Sequence, residues 1–343
     1  MDRSRLPYNT LDKESLAQLL AAETVPRITL SFYNYTEIPQ PDLAYRESLY
    51  KSWLKFKVLG RIYVANEGIN AQICLPENHL EAFRQDMDKR FPGTPFKFAL
   101  EAEVEPFLKL IIKTKKKIVA DGLDDTSFDP ANTGKHLSAQ EFNDAMEERG
   151  TIVVDMRNHY ESEVGHFTDA ICPDVDTFRE ELPLVLETLQ GQEDKKLLLY
   201  CTGGIRCEKA SAYFKHKGFK DVNQLSGGII DYARQVKAEG LESKFIGRNF
   251  VFDGRLGEAI TDHVISNCHQ CGEKCNTHTN CRNDACHLLF IQCKSCDHKF
   301  EGCCTEQCSQ VIQLPLEEQK ALRKDYRPNG IFKSRLRPHL GVD

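Results

Sequence analysis

The chain has 343 residues, a net charge of -6, and 41% hydrophobic and 28% charged residues. This length suits two or three domains of ordinary size, and the composition excludes disordered and fibrous proteins. The mildly negative net charge excludes a uniformly basic nucleic-acid binder, but it is compatible with local basic patches.

Apolar runs and cysteines indicate the compartment. The sequence contains neither an apolar leader nor the run of ~20 apolar residues that a membrane helix needs. We therefore expect a cytoplasmic protein with no membrane partner, whose 14 cysteines stay reduced. Ten of them crowd between Cys268 and Cys308, which indicates a separate module.

Residues 1–125 have the pattern strand, helix, strand, strand, helix, strand. Arg27–Tyr35 alternates aromatic and β-branched residues and predicts the first strand. Gly68 allows a tight turn between the second and third strands, and the last strand runs into the basic run Lys113–Lys117. This order predicts an N-terminal ferredoxin-like βαββαβ domain, similar to acylphosphatase, of α+β class.

A second domain is predicted over residues 137–245, after a linker at 126–136 that contains proline and glycine. The apolar run Lys196–Tyr200 is typical of a strand buried on both faces. A further strand is predicted at about 221–225 and a helix at about 228–239. Alternation of this kind predicts an α/β domain with a parallel sheet covered by helices.

The loop after the buried strand carries the strongest chemical signal. It begins at Cys201, ends at Arg206, and between them has Thr202, Gly203, Gly204 and Ile205. The glycines let backbone N–H groups turn inward as an anion-binding nest, and the next helix and Arg206 add positive charge. A thiolate is then favoured, so Cys201 is predicted to be a nucleophile rather than a small buried hydrophobe. Cys207 is either a packing residue or a resolving thiol.

Residues 246–343 contain a cysteine-rich metal-binding segment and a basic tail. Two C-x₂-C pairs separated by 21 residues match zinc-ribbon spacing and predict one site, formed by Cys268, Cys271, Cys293 and Cys296. An interleaved arrangement predicts a second site, formed by Cys281, Cys286, Cys303 and Cys308. Structural zinc is the expected ion, with an iron–sulfur cluster or redox disulfides as alternatives.

Two basic runs are candidate RNA-binding surfaces, namely Lys115, Lys116 and Lys117, and Arg335 with Arg337. Such side chains contact phosphates, and the neighbouring Tyr326 and Phe332 are predicted to stack on unpaired bases. The alternative is that either run is a solvated face.

Three ordered motifs of the second domain resemble those of rhodaneses. The loop Cys201–Arg206 is similar to their C-x-x-G-x-R active loop. The D-x-R…E…G-H element is matched by Asp155-Met-Arg157, Glu161 and Gly165-His166. The G-F…V…L-x-G-G element is matched by Gly218-Phe219, Val222 and Leu225-Ser-Gly-Gly228. The resemblance implies a persulfide-forming or otherwise nucleophilic Cys201, with Arg206 as loop anchor and Asp155 and Arg157 among the catalytic residues.

Taken together, the three parts resemble the tRNA uridine hydroxylases over nearly the whole chain. This resemblance implies formation of 5-hydroxyuridine at the tRNA wobble position, with molecular oxygen as co-substrate, the anticodon loop as partner and Cys201 as the essential thiol. The sequence shows no evident iron site of two histidines and one carboxylate, and no flavin motif.

Two other functions fit the same residues. A sulfurtransferase that passes a Cys201 persulfide to an acceptor uses the same loop. A non-enzymatic RNA-binding zinc protein needs only the cysteine-rich segment and the basic runs, and the intact Cys201 and Arg206 argue against it. The sequence assigns no oligomeric state.

Overall fold

The structure, a computed structural model, describes residues 13–99, 107–123, 128–324 and 329–340. An N-terminal mixed sheet, a central parallel sheet and a cysteine-rich segment follow one another along the chain. The predicted combination of α+β and α/β parts is confirmed. Among the described residues, no helix has both the length and the apolar character needed to cross a membrane.

The N-terminal sheet has five strands, with helices packed on one face. Its elements are α1 (Lys13–Ala21), β1 (Arg27–Tyr35), α2 (Leu43–Leu54), β2 (Leu59–Ala65), β3 (Gly68–Pro76), α3 (Leu80–Arg90), β4 (Lys97–Phe98) and β5 (Leu110–Thr114). The strand order is β4-β1-β3-β2-β5, with β2 and β5 parallel and the other pairs antiparallel. Strands β1 to β4 with α2 and α3 form the expected ferredoxin-like unit.

The prediction for the last strand of this unit is wrong. The strand that leads into the basic run is β5, which pairs in parallel with β2 at one edge of the sheet. The fourth strand of the unit is instead the two-residue β4, beside β1 at the other edge. Leu110 and Ile112 are buried and give β5 its strand-like pattern, but alternation does not specify which edge a strand joins.

Side chains of this sheet alternate between two faces. Leu30 and Phe32 of β1 pack against Trp53 and Phe83 of the helices. The opposite face, called the polar face below, is partly exposed and turns toward the Cys201 loop; it consists of Thr29, Ser31, Tyr33, Arg61, Tyr63, Asn70 and Gln72.

The central sheet has the order β6-β10-β9-β7 and is parallel throughout. Its region contains β6 (Lys135–Leu137), α4 (Ala139–Glu147), β7 (Ile152–Asp155), α5 (His159–Ser162), β8 (Gly165–Phe167), α6 (Phe178–Thr188), β9 (Lys196–Tyr200), α7 (Ile205–His216), β10 (Asp221–Leu225) and α8 (Gly228–Glu239). Leu197 and Leu199 face one core cluster, and Leu198 and Tyr200 face another. Strand β9 is therefore buried on both faces, as predicted.

The last part has short elements and a small core. They are β11 (Phe245–Asn249), β12 (Glu258–Ala259), β13 (His278–Asn280), β14 (Leu289–Ile291), α9 (Lys294–Phe300), α10 (Glu306–Ile312) and α11 (Leu316–Arg323). Strand β11 pairs with β8 and so attaches this part to the central one. Leu288, Phe290 and Phe332 pack with cysteine sulfurs rather than in a large apolar core.

Polar contacts join the N-terminal sheet to helix α7. Lys209 Nζ contacts Glu67 at 2.7 Å and Asp121 at 2.6 Å. Tyr33 Oη donates a hydrogen bond to Glu208 at 2.8 Å. Because Lys209 is only 2% exposed, these contacts are shielded from water and fix the polar face against the start of α7.

Candidate active site and metal centres

The Cys201 loop lies at the carboxyl edge of the parallel sheet, between β9 and α7. The Gly204 N–H donates a hydrogen bond to Cys201 Sγ at 3.1 Å. Gly204 has a φ of 94°, a left-handed conformation that glycine adopts without strain. The loop therefore has the geometry of the predicted anion-binding nest, and the group bound in the nest is the Cys201 sulfur.

The surroundings of Cys201 favour its thiolate. Burial raises the pKa of this thiol, but a hydrogen bond with Cys207 and the Arg206 charge outweigh burial and lower the pKa to about 5. Burial raises the pKa of Cys207 well above its ordinary range, so Cys207 stays a thiol that donates to its neighbour. Cys207 is also part of the apolar core under the loop.

Arg206 is held by a carboxylate, Glu161, that was not among the predicted site residues. Arg206 Nη1 and Nη2 donate to its two oxygens at 2.7 and 2.8 Å. Glu161 also accepts a hydrogen bond from the Thr202 hydroxyl at 3.1 Å and is 0% exposed. The D-x-R…E…G-H motif contained this residue, but the spacing gave no indication that it pairs with the loop arginine.

Asp155 and Arg157, predicted among the catalytic residues, lie behind the loop. Both are 0% exposed, and Arg157 binds the two Asp155 oxygens at 2.8 and 2.7 Å. Tyr200 Oη donates to Asp155 at 2.8 Å, and Arg157 donates to the Gly165 carbonyl at 2.6 Å. Neither residue lines the cavity in front of Cys201, so their catalytic role stays a prediction.

A cavity of about 380 Å³ separates the Cys201 loop from the polar face of the N-terminal sheet. Cys201, Thr202, Gly203, Ile205 and Arg206 line it on the loop side, and Val251–Asp253 with Arg255 and Glu258 contribute a further wall. Its volume falls in the range of small-molecule sites. The Cys201 loop thus borders a pocket that neither the central sheet nor the N-terminal sheet forms alone, and Cys201 itself is 0% exposed.

Lys97 is a second residue that sequence reasoning missed. It is 3% exposed, and its Nζ donates to the Gly203 carbonyl at 2.6 Å. The same Nζ lies 4.0 Å from the centroid of the Tyr33 ring. A cation of the N-terminal sheet therefore holds the active loop. No pattern marked it, because a lysine in a two-residue strand has the appearance of a surface residue.

Two groups of four cysteines bring their sulfur atoms together. The first is the predicted Cys268, Cys271, Cys293 and Cys296, and the second is Cys281, Cys286, Cys304 and Cys308. Within each group the four Sγ atoms lie within 4.8 Å of one another. The Sγ–Sγ distance is 3.6 Å between Cys271 and Cys293, 3.6 Å between Cys286 and Cys304, and 3.7 Å between Cys304 and Cys308. Thiolates about 2.3 Å from one ion lie about 3.8 Å apart in a tetrahedron, so both groups fit zinc.

The predicted second site contained Cys303, and the structure places Cys304 there instead. The Cys304 N–H donates to the Cys281 sulfur at 3.4 Å, which fixes this residue at the cluster. The Cys303 carbonyl accepts from the amides of Gln270 and Gln292 at 3.0 and 3.1 Å. Spacing could not separate two adjacent cysteines, whereas the positions of their sulfur atoms in the structure do.

The first basic run is only partly available for RNA. Lys115 and Lys116 are exposed, and Lys115 Nζ lies 5.7 Å from the Tyr63 ring centroid. Lys117 Nζ instead contacts the buried Asp121 at 2.6 Å. Lys117 is therefore occupied by an ion pair within the protein.

Lys333 and Arg335 of the basic tail lie beside the cavity. Arg335 is exposed and lies 3.7 Å from Asp174, and Lys333 contacts the cavity-lining Asp176 at 2.6 Å. Arg337 lies 5.3 Å from the centroid of the Phe332 ring. Phe332 is 1% exposed, so the prediction that it stacks on bases is wrong. The predicted stacking residue Tyr326 lies outside the described residues.

Family models match three successive parts of the chain. The UPF0176 acylphosphatase like domain matches residues 27–118, the Rhodanese-like domain 138–235 and the Rhodanase C-terminal model 246–309. A tRNA uridine(34) hydroxylase of Leptospira interrogans is 57% identical over 342 residues, or 98% of this chain and 93% of the relative. Proteins of the same name from Pectobacterium carotovorum and Photorhabdus laumondii are 53% and 50% identical, over 94% and 98% of this chain and 92% and 97% of theirs.

The chain belongs to the tRNA uridine(34) hydroxylase family. This confirms the resemblance that the motifs predicted. In this hydroxylase-family chain, the Cys201 loop falls within the rhodanese-like match, and both cysteine groups fall within the third match.

We expect this hydroxylase-family protein to bind about two zinc ions per chain, and chelation to unfold residues 268–308 first, because they have little apolar core. Cys304→Ser should lower the zinc content by about one ion, whereas the matched variant Cys303→Ser should keep both. Elemental analysis and limited proteolysis with and without chelator measure the two effects. If Cys303→Ser lost an ion and Cys304→Ser lost none, Cys303 would be the zinc ligand, as the spacing predicted.

Proposed function

We propose that this protein hydroxylates the wobble uridine of tRNA to 5-hydroxyuridine in an oxygen-dependent reaction, with Cys201 as the essential thiol. The observation that carries the proposal is the match to hydroxylases over 98% of the chain, in which the Cys201 loop faces a cavity built from two sheets. Because tRNA is the proposed substrate, the proposed place of action is the cytoplasm.

The loop supports a role for an anionic sulfur. The Gly204 N–H and the Arg206 charge both stabilise negative charge at Cys201, and Glu161 and Lys97 fix the loop from two sides. A thiolate held in this way is ready to attack an electrophilic carbon or to carry a sulfur or oxygen atom. The cavity in front of it provides the space for a base extruded from the anticodon loop.

We propose that both cysteine groups hold zinc as structural ions. Each group offers four thiolates and no open position for a substrate, which is the pattern of structural rather than catalytic zinc. None of the eight cysteines lines the cavity. Zinc bound there stabilises the segment that carries the basic tail.

The proposal for tRNA binding gives a salt-dependence prediction. Two double variants are tested, Arg335 with Arg337 replaced by alanine and Lys115 with Lys116 replaced by alanine. Each should weaken tRNA binding. The slope of log affinity against log salt concentration should become less steep by about 0.7–0.9 per lost phosphate contact. Binding titrations at several salt concentrations measure the slope. Lys220→Ala is the control, because this exposed lysine belongs to neither basic run. Equal slopes in all variants would contradict the assignment of these surfaces.

The function is tested by nucleoside mass spectrometry of tRNA treated with the purified protein. We expect 5-hydroxyuridine in air and none under argon, and an isotope label from labelled O₂ in the product. The alternative function, a sulfurtransferase, is favoured by the same loop, because its Gly204 N–H binds the Cys201 sulfur. That alternative predicts a mass gain of one sulfur at Cys201 after treatment with thiosulfate, its transfer to an acceptor, and unmodified tRNA in air.

A further inference from the structure

Three side chains form a row across the polar face of the N-terminal sheet. Tyr33 of β1 is paired with Asn70 of β3, and Asn70 is paired with Tyr63 of β2. All three line the cavity that Cys201 also lines. A Cβ placed on Gly204 would lie 2.9 Å from Tyr33 Oη, so the Tyr33 end of the row lies directly against the active loop. An amide flanked by two aromatic rings therefore faces the pocket of the thiol.

The Asn70 amide is held in one orientation. Its Nδ2 donates to the Ile118 carbonyl at 3.3 Å, while the Ile118 N–H donates to Glu67 at 2.7 Å. Turning the amide over would set Asn70 Oδ1 against the Ile118 carbonyl oxygen, acceptor against acceptor. Asn70 lines the cavity, so its Oδ1 is the acceptor that this fixed amide can offer to a ligand there.

Uracil and cytosine differ at N3, the position at which a hydrogen-bond acceptor such as Asn70 Oδ1 can distinguish them. Uracil carries an N3–H donor, whereas the N3 of cytosine is an acceptor. We propose, resting on the proposed function, that Asn70 is a specificity-determining residue that accepts a hydrogen bond from N3–H of the target uracil and repels cytosine. A site built to bind a ligand N–H rejects an analogue without it, because the acceptor is then covered by the base but left unpaired.

Gln72 offers a comparison on the same strand and face. It is paired with Ser31 of β1 and Arg61 of β2, and it lines the same cavity. Among the described residues no hydrogen bond fixes its amide, so the amide can rotate to present a donor or an acceptor to either base. Gln72 contributes to affinity without selecting the base.

The test measures binding of the full-length protein to anticodon stem-loops by fluorescence anisotropy. The three probes carry uridine, cytidine or N3-methyluridine at the wobble position. We expect uridine to bind at least about tenfold more tightly than either other base. In Asn70→Ala, uridine and cytidine should bind within about twofold of each other, whereas Gln72→Ala should weaken both and keep their ratio.

Equal binding of uridine and cytidine by the wild-type protein overturns the inference, as does a ratio that persists in Asn70→Ala or disappears in Gln72→Ala. The N3-methyluridine probe needs no substitution, so the test holds even if Asn70→Ala does not fold; tight binding of this probe also overturns the inference. A protein that selects uridine but forms no 5-hydroxyuridine would refute the proposed function alone. Hydroxylation without selection in binding would refute this inference alone.

Discussion

Cys201→Ala is expected to abolish 5-hydroxyuridine formation while the protein stays folded. The substitution removes the sulfur that accepts from the Gly204 N–H but keeps the Cβ in the core. Losing one buried group of this size costs about 1 kcal/mol, which is small beside the ~5–15 kcal/mol of a typical domain. Nucleoside mass spectrometry measures the activity, and thermal unfolding measures the stability. Cys172→Ala is the control, because Cys172 does not line the cavity.

Activity retained in a folded Cys201→Ala protein would refute the role of the thiol. A pH profile tests its ionisation separately. With a pKa of about 5, Cys201 is deprotonated from about pH 6 upward, so its alkylation rate should be nearly flat with rising pH. A thiol with a pKa of ~8.5 would instead react about tenfold faster per pH unit up to its pKa. Burial raises the pKa of Cys172 to about 12, so Cys172 should stay nearly unreactive over the same range.

The sequence predicted the elements whose signal is local. Strand β1 and strand β9 have the predicted bounds, because alternation in one and a continuous apolar run in the other are properties of the segment itself. The Cys201 loop was predictable for the same reason, since its glycines, thiol and arginine lie within six consecutive residues. The first cysteine group follows from two tight C-x₂-C turns.

Features that depend on packing between distant segments could not be predicted. Lys97 reaches Gly203 across 106 positions, and Arg206 pairs with Glu161 across 45. The sequence placed Asn70 in a predicted strand, but its position in the cavity follows from the Cys201 loop that packs opposite that strand. In each case the residue type is common on surfaces, and only the partner brought by the fold makes it part of the site.

Arg206→Met is expected to destabilise the protein more than any loss confined to the thiol. Glu161 is 0% exposed, and without Arg206 the hydrogen-bond donors left to it among the described residues are neutral, the Thr202 hydroxyl and the Asn158 N–H. Removing one partner of a buried ion pair costs about 3–5 kcal/mol, because the other charge stays buried. Denaturant unfolding measures this loss. The pKa of Cys201 should rise at the same time, since the nearby cation is gone, and 5-hydroxyuridine formation should fall.

The double variant Arg206→Met with Glu161→Gln separates the two effects of the arginine. It removes both buried charges, so most of the lost stability should return, while the pKa of Cys201 should stay raised and hydroxylation should stay low. Arg206→Lys keeps a cation but not the paired bonds to Glu161, and it should preserve a low pKa at reduced stability. If activity returned together with stability in the double variant, Arg206 would act only by folding the loop. A thiol pKa that stays low in Arg206→Met would assign the thiolate to the backbone N–H groups of the loop and to the Cys207 hydrogen bond.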